Sequence, residues 1–154
     1  MKQKQRLAEK KAKADRKVTR ERKEKLKTRS DYIKEVQIVV NKYIRLRDAD
    51  LPCISCSRFH SGQYHAGHFR SVGSAPHLRF EERNIYKQCA PCNNHLSGNL
   101  ILFRKNLVER YGADFVEALE SENEAKHYTI DQLKELKKHY AQKCKELVKV
   151  RESA

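Results

Sequence analysis

Apolar residues fall at helical spacing in several separate stretches of this chain. Ile33, Val36, Val40, Tyr43 and Ile44 share one face of a helix that Ser30 and Asp31 start and that runs to about Arg47. Leu100 to Tyr111 reads as a second helix ended by Gly112, and Asp114 caps a third carrying Phe115, Val116 and Leu119. Thr129 and Gln132 have the capping-box pattern and open a long last helix, whose Leu133, Leu136, Tyr140, Cys144 and Leu147 make one stripe. That stripe serves as a packing face or as a dimer seam. Between Leu51 and Gln88 the pattern breaks into short pieces punctuated by Pro52, Gly62, Gly67, Gly73 and Pro76, which suits loops and a small β-hairpin. A short helix is expected from Cys92 to about Leu96. The fold class is α+β, predominantly helical, divided into a basic arm over residues 1–29, a core over 30–112 and a C-terminal helical region over 113–154.

Composition sharpens this picture. The chain has 154 residues, the size of one modest domain, yet only 38% are hydrophobic and 35% are charged. Part of it is therefore too polar to bury itself, and the compact part needs a staple. The formal net charge is +14, and residues 1–29 hold 14 Lys/Arg against 4 Asp/Glu, which places +10 of that excess in the arm. Lys10, Lys11, Lys13, Arg16, Lys17 and Arg20 stand in a helix-forming background with scarcely any large apolar side chain. A polyanion is the natural partner for such an arm, because phosphate contacts release condensed counterions. The arm lacks the apolar face of an interfacial helix. No apolar run approaches the roughly 18 residues of a membrane span, and the N-terminus lacks the apolar core of a secretion signal. The expectation is a cytoplasmic protein with no membrane partner.

The staple is supplied by cysteine. CISC places Cys53 and Cys56 two residues apart, and CAPC does the same for Cys89 and Cys92. Two such pairs give four thiolates for one tetrahedral Zn²⁺, with no position left for a substrate, so this ion is structural. Cys144 stands apart on the helical stripe as a small buried hydrophobe. On these residues alone the chain is a zinc-stapled nucleic-acid protein.

The segment between the pairs adds chemistry. YHAGHF holds His65 and His68, Asn84 precedes the second pair and Asn93 follows it. In this layout the sequence resembles the zinc-stapled HNH, or ββα-metal, endonucleases, with His68, Asn84 and Asn93 at the three signature positions. YHAGHF, LRFEERN, QCAPCNNHLSGN and the basic lead-in together resemble the NinG/Rap family of lambdoid phages over most of the chain. The resemblance implies a zinc-stapled ββα centre flanked by helices, and a recombination endonuclease that cuts branched double-stranded DNA, such as Holliday junctions and D-loops, with Mg²⁺ or Mn²⁺. His68 would be the general base, Asn84 would hold its loop, and Asn93 would offer an oxygen to the ion. Many enzymes of this class carry a ligand just before the base, where this chain has Gly67. His65 substitutes if the strand bends at Gly67, or else contacts phosphate or fills space.

Arg58, Arg70, Arg79, Arg83, Lys87, Arg104 and Lys105 surround the site in sequence and could track a DNA backbone. Tyr64, Phe69 and Phe80 read first as a small core and second as a stacking platform. His77 and His95 read as DNA contacts or structural hydrogen-bonders, and His60, His127 and His139 as surface residues. A symmetric junction cutter would be a homodimer. The alternative function is a non-catalytic, zinc-dependent DNA-binding factor of recombination.

Overall fold

The computed structural model describes residues 2–153. Helix α1 spans Lys2–Lys25, and residues 4–26 are exposed throughout. The arm is thus a helix without a buried face, as its lack of large apolar side chains dictates. Helix α2 (Arg29–Arg47) begins two residues earlier than expected. Thr28 is its N-cap, and Asp31, instead of opening the helix, completes a capping box by accepting from the Thr28 N–H at 2.9 Å.

Strands β1 (Tyr64–His68) and β2 (Ile85–Cys89) form an antiparallel pair with register Tyr64↔Cys89, His65↔Gln88, Ala66↔Lys87, Gly67↔Tyr86 and His68↔Ile85. They are joined by residues 69–84, a long loop carrying two 3₁₀ turns, rather than by a tight hairpin turn. Pro91–His95 is a single π-type turn. Helices α3 (Leu100–Tyr111), α4 (Ala113–Ser121) and α5 (Ile130–Glu152) follow. Gly112, with φ at 92°, stands at the α3/α4 junction, and Asp114 lies inside α4 instead of capping it. The Thr129–Gln132 capping box at the start of α5 is formed as its sequence predicts.

Because side chains alternate across a strand, the pair has two faces. Ala66 and Ile85 face α2 and α5, where Val36, Val40, Ile44, Leu133, Tyr140 and Cys144 make one core. The stripe on α5 is consumed in this packing. Tyr86 faces the other way, into a second core of Ile54, Phe69, Leu78, Phe103, Leu107, Val116 and Leu119. The division at 112/113 therefore runs between α3 and α4, which share that core, while α5 closes the first. No described helix is long and apolar enough to cross a membrane.

Candidate metal centre and hairpin site

The four expected cysteines converge, Cys53 and Cys56 from the loop after α2, Cys89 from the end of β2 and Cys92 from the π-type turn that follows. Their sulfur atoms all lie within 4.8 Å of one another, with Cys56 Sγ 3.9 Å from Cys89 Sγ. Tetrahedral Zn–S bonds of about 2.3 Å demand sulfurs about 3.8 Å apart, so the cluster fits zinc. Local backbone geometry holds it. Cys89 N donates to Cys53 Sγ at 3.3 Å, and Asn99 Nδ2 donates to Cys92 Sγ at 3.4 Å. Ser97, Gly98 and Asn99 all take positive φ, which wraps the chain tightly before α3 begins. Burial pushes the Cys56 and Cys89 thiols up, so zinc must displace protons to bind.

His60 is not the idle surface residue its isolation suggests. Its Nε2 lies 3.2 Å from Cys56 Sγ, close enough to hydrogen-bond the sulfur. The Cys56-x₃-His60 spacing was the available signal. Lys87, expected on the DNA side, is only 5% exposed. Its Nζ donates to the Ala49 carbonyl at 2.8 Å and sits 4.5 Å over the Tyr64 ring.

On the hairpin, His68 Nε2 lies 3.0 Å from the Arg79 carbonyl oxygen. A carbonyl only accepts, so this nitrogen carries the proton and Nδ1 keeps its lone pair. Burial lowers the His68 pKa from its ordinary 6.5, which keeps the ring neutral near pH 7. Asn84, fully buried, braces the segment right after His68. Its Oδ1 accepts from Arg70 N at 2.8 Å, its Nδ2 donates to Arg70 O at 2.9 Å, and its carbonyl accepts from Phe69 N at 2.8 Å. Asn84→Ala leaves the Arg70 N–H and C=O without their side-chain partners, while the Phe69 N–H keeps its backbone one, and is expected to cost on the order of 2–4 kcal/mol in a thermal melt.

His65 lies on the opposite face from His68, since three residues along a strand reverse the side. Pairing continues without a bend through Gly67↔Tyr86. His65 therefore shares the face of Gly67 itself, and its Nε2 is buried without a partner among the described residues. Asn93 is half-buried in the π-type turn, its Nδ2 donating to Asn94 Oδ1 at 2.8 Å.

The basic residues divide. Arg70 directs its guanidinium at the end of α4, donating to the Leu119 and Glu122 carbonyls and to Asn123 Oδ1. Arg83 pairs with Glu81 and Glu122, Arg104 forks onto Glu120, and Lys105 faces Glu109. Arg58 and Arg79 have no carboxylate within 4.0 Å among the described residues. Phe69 and Phe80 are core residues, and Tyr64 packs beside the cysteines. His77 Nε2 donates to the Glu122 carbonyl at 2.7 Å, a structural role.

Fold and site define a small, mostly helical α+β protein with a two-stranded sheet and, at its end, a four-cysteine cluster that could hold a metal ion such as zinc. The chain belongs to the NinG family: the family model described as Bacteriophage Lambda NinG protein matches residues 1–152. It is 49% identical to protein ninG of Escherichia phage lambda over 133 residues, covering 86% of this chain and 65% of that one. It is 50% identical to protein ninG of Salmonella phage P22 over 126 residues, 82% of this chain and 62% of that one. The chain thus spans somewhat less than two thirds of these relatives' length. No solved structure matches it.

Proposed function

We propose that this protein is a metal-dependent, structure-selective DNA endonuclease of HNH type that acts on branched recombination intermediates such as Holliday junctions and D-loops. The observation that carries the reading is the environment of His68. It is a half-buried, neutral imidazole with one nitrogen spent on Arg79 O and no partner for the other among the described residues, beside a loop pinned by Asn84. That arrangement suits a general base, which must receive a proton from water at neutral pH. A divalent ion, when bound, would neutralise charge on the phosphate and the departing oxygen. His65 and Asn93 are the ligands proposed for it. The chain's own residues do the remainder: His68 takes the proton, Asn84 holds the ring's surroundings, and the cysteine cluster ties the hairpin to the Asn93 turn.

A labelled four-way junction and a matched linear duplex, incubated with Mg²⁺, Mn²⁺ or EDTA, test this. Metal-dependent nicking of the junction supports the reading. Tight binding without cutting under any metal supports the rival, a zinc-dependent DNA-binding factor, which the bare backbone at Gly67 favours.

DNA is held mainly by the arm in this proposal, since five of the seven basic side chains named around the site (Arg70, Arg83, Lys87, Arg104 and Lys105) are paired or buried. Along α1 few cations are engaged, Lys17 with Glu21 at 4.0 Å being one. Deleting residues 1–29 should weaken binding and flatten its salt dependence by about 0.9 in log–log slope for each phosphate that is no longer neutralised. An unaltered slope in a binding titration would place the grip elsewhere.

A further inference from the structure

We propose that His65 Nε2 and Gln88 Oε1 together form a divalent-cation site, with Gln88 supplying the ligand that Gly67 cannot. The inference deepens the nuclease reading and rests on it for the ion's task. His65 and Gln88 are direct cross-strand partners, so their side chains leave the hairpin on the same face. Both atoms are buried and neither has a hydrogen-bond partner among the described residues. Gln88 is fully buried, and its amide orientation is fixed by its other end. Nε2 donates to Ser55 Oγ at 2.7 Å and to the Gly98 carbonyl at 2.5 Å, and a carbonyl accepts only. Oε1 must then point away from Gly98, and it points at Gly67. A Cβ on Gly67 would lie 2.9 Å from Gln88 Cδ and closer still to Oε1. The carboxamide therefore occupies the space that a side chain at position 67 would fill.

An imidazole nitrogen and an amide oxygen, both orphaned, match a borderline-to-hard divalent ion that keeps waters for its other positions. Neither ligand is charged. The ion keeps its full double charge for a phosphate oxygen, so metal and DNA should each tighten the other's binding by the same factor.

The test is Mn²⁺ titration of the zinc-loaded full chain, reading free Mn²⁺ by its electron paramagnetic resonance signal. His65→Ala and Gln88→Met should weaken Mn²⁺ binding at least about tenfold, and Gln88→Glu should tighten it by a similar factor. Gly67→Ala, which evicts the carboxamide, should weaken it as well. Zinc content and the melt of His65→Ala should match wild type. Wild-type protein that takes up no Mn²⁺ in the millimolar range overturns the proposal. So does affinity unmoved in both His65→Ala and Gln88→Glu, which would leave a bridging water as the partner of the two atoms. Junction cleavage measured in parallel separates the two readings. Variant-sensitive Mn²⁺ binding without cutting keeps the site and removes the nuclease; cutting that all four variants retain at unchanged Mn²⁺ dependence does the reverse.

Discussion

Cys89→Ser is expected to abolish zinc binding and, with it, the cooperative melt of the core. Structural zinc contributes about 10–16 kcal/mol of apparent binding energy, which rivals or exceeds the about 5–15 kcal/mol by which a whole domain is stable. The packing around the cluster explains why so little would replace it. Apart from the sulfurs, the loop bearing Cys53 and Cys56 meets β2 through the backbone bond Ile54 N to Lys87 O at 3.0 Å and the Gln88 Nε2 to Ser55 Oγ bond at 2.7 Å, with Ile54 in the second core. In the π-type turn only Cys92 is buried, while Pro91, Asn94 and His95 are exposed, so the turn has no apolar face of its own. The first core, built from α2 and α5, touches no sulfur of the cluster, so helical circular dichroism should persist in part while the transition broadens. Chelation should reproduce the variant's behaviour. Acidification should loosen zinc too, because the buried thiols must lose protons to bind it. Cys144→Ala, on the α2–α5 interface, serves as the control and should retain one zinc per chain. A sharp, reversible melt of zinc-free protein would show that the cysteines are not the staple.

The sequence reveals those features whose causes are local. Two-residue spacing announces the cysteine pairs, and the Thr129–Gln132 box announces α5 because both partners lie within one turn. The start of α2 is harder, since Thr28, Ser30 and Asp31 are all cap formers and only geometry shows that Asp31 answers Thr28. Arg70 and Lys87 sit among other cations in the sequence, yet one caps α4 and the other is buried beneath Tyr64. Such fates depend on segments 38 to 52 residues away in the chain. Gln88 is invisible for a similar reason. Its opposition to His65 follows from strand register, which is set across the whole of residues 69–84. The opposite facing of His65 and His68, by contrast, follows from the two-residue period of any strand.

His68→Ala is expected to lower junction cleavage by about 10²- to 10⁴-fold, the usual worth of a positioned general base, while leaving DNA affinity and zinc content as they were. Folding should survive because His68 makes one hydrogen bond and its loop is braced independently by Asn84. The pH dependence separates a base from a merely structural ring. A base works only when neutral, and burial lowers the His68 pKa below 6.5. Wild-type cleavage should therefore hold level as pH falls through 6.5 and drop only once the lowered value is crossed. The opposing hydrogen bond to Arg79 O limits how far that value falls, so the acid limb should still be measurable. In His68→Ala the remaining slow reaction should lose this limb, because the imidazole that acts as the base is gone. A variant that cuts at the wild-type rate, or that keeps the acid limb unchanged, would remove His68 from the chemistry and leave it a hairpin residue that happens to face a carbonyl.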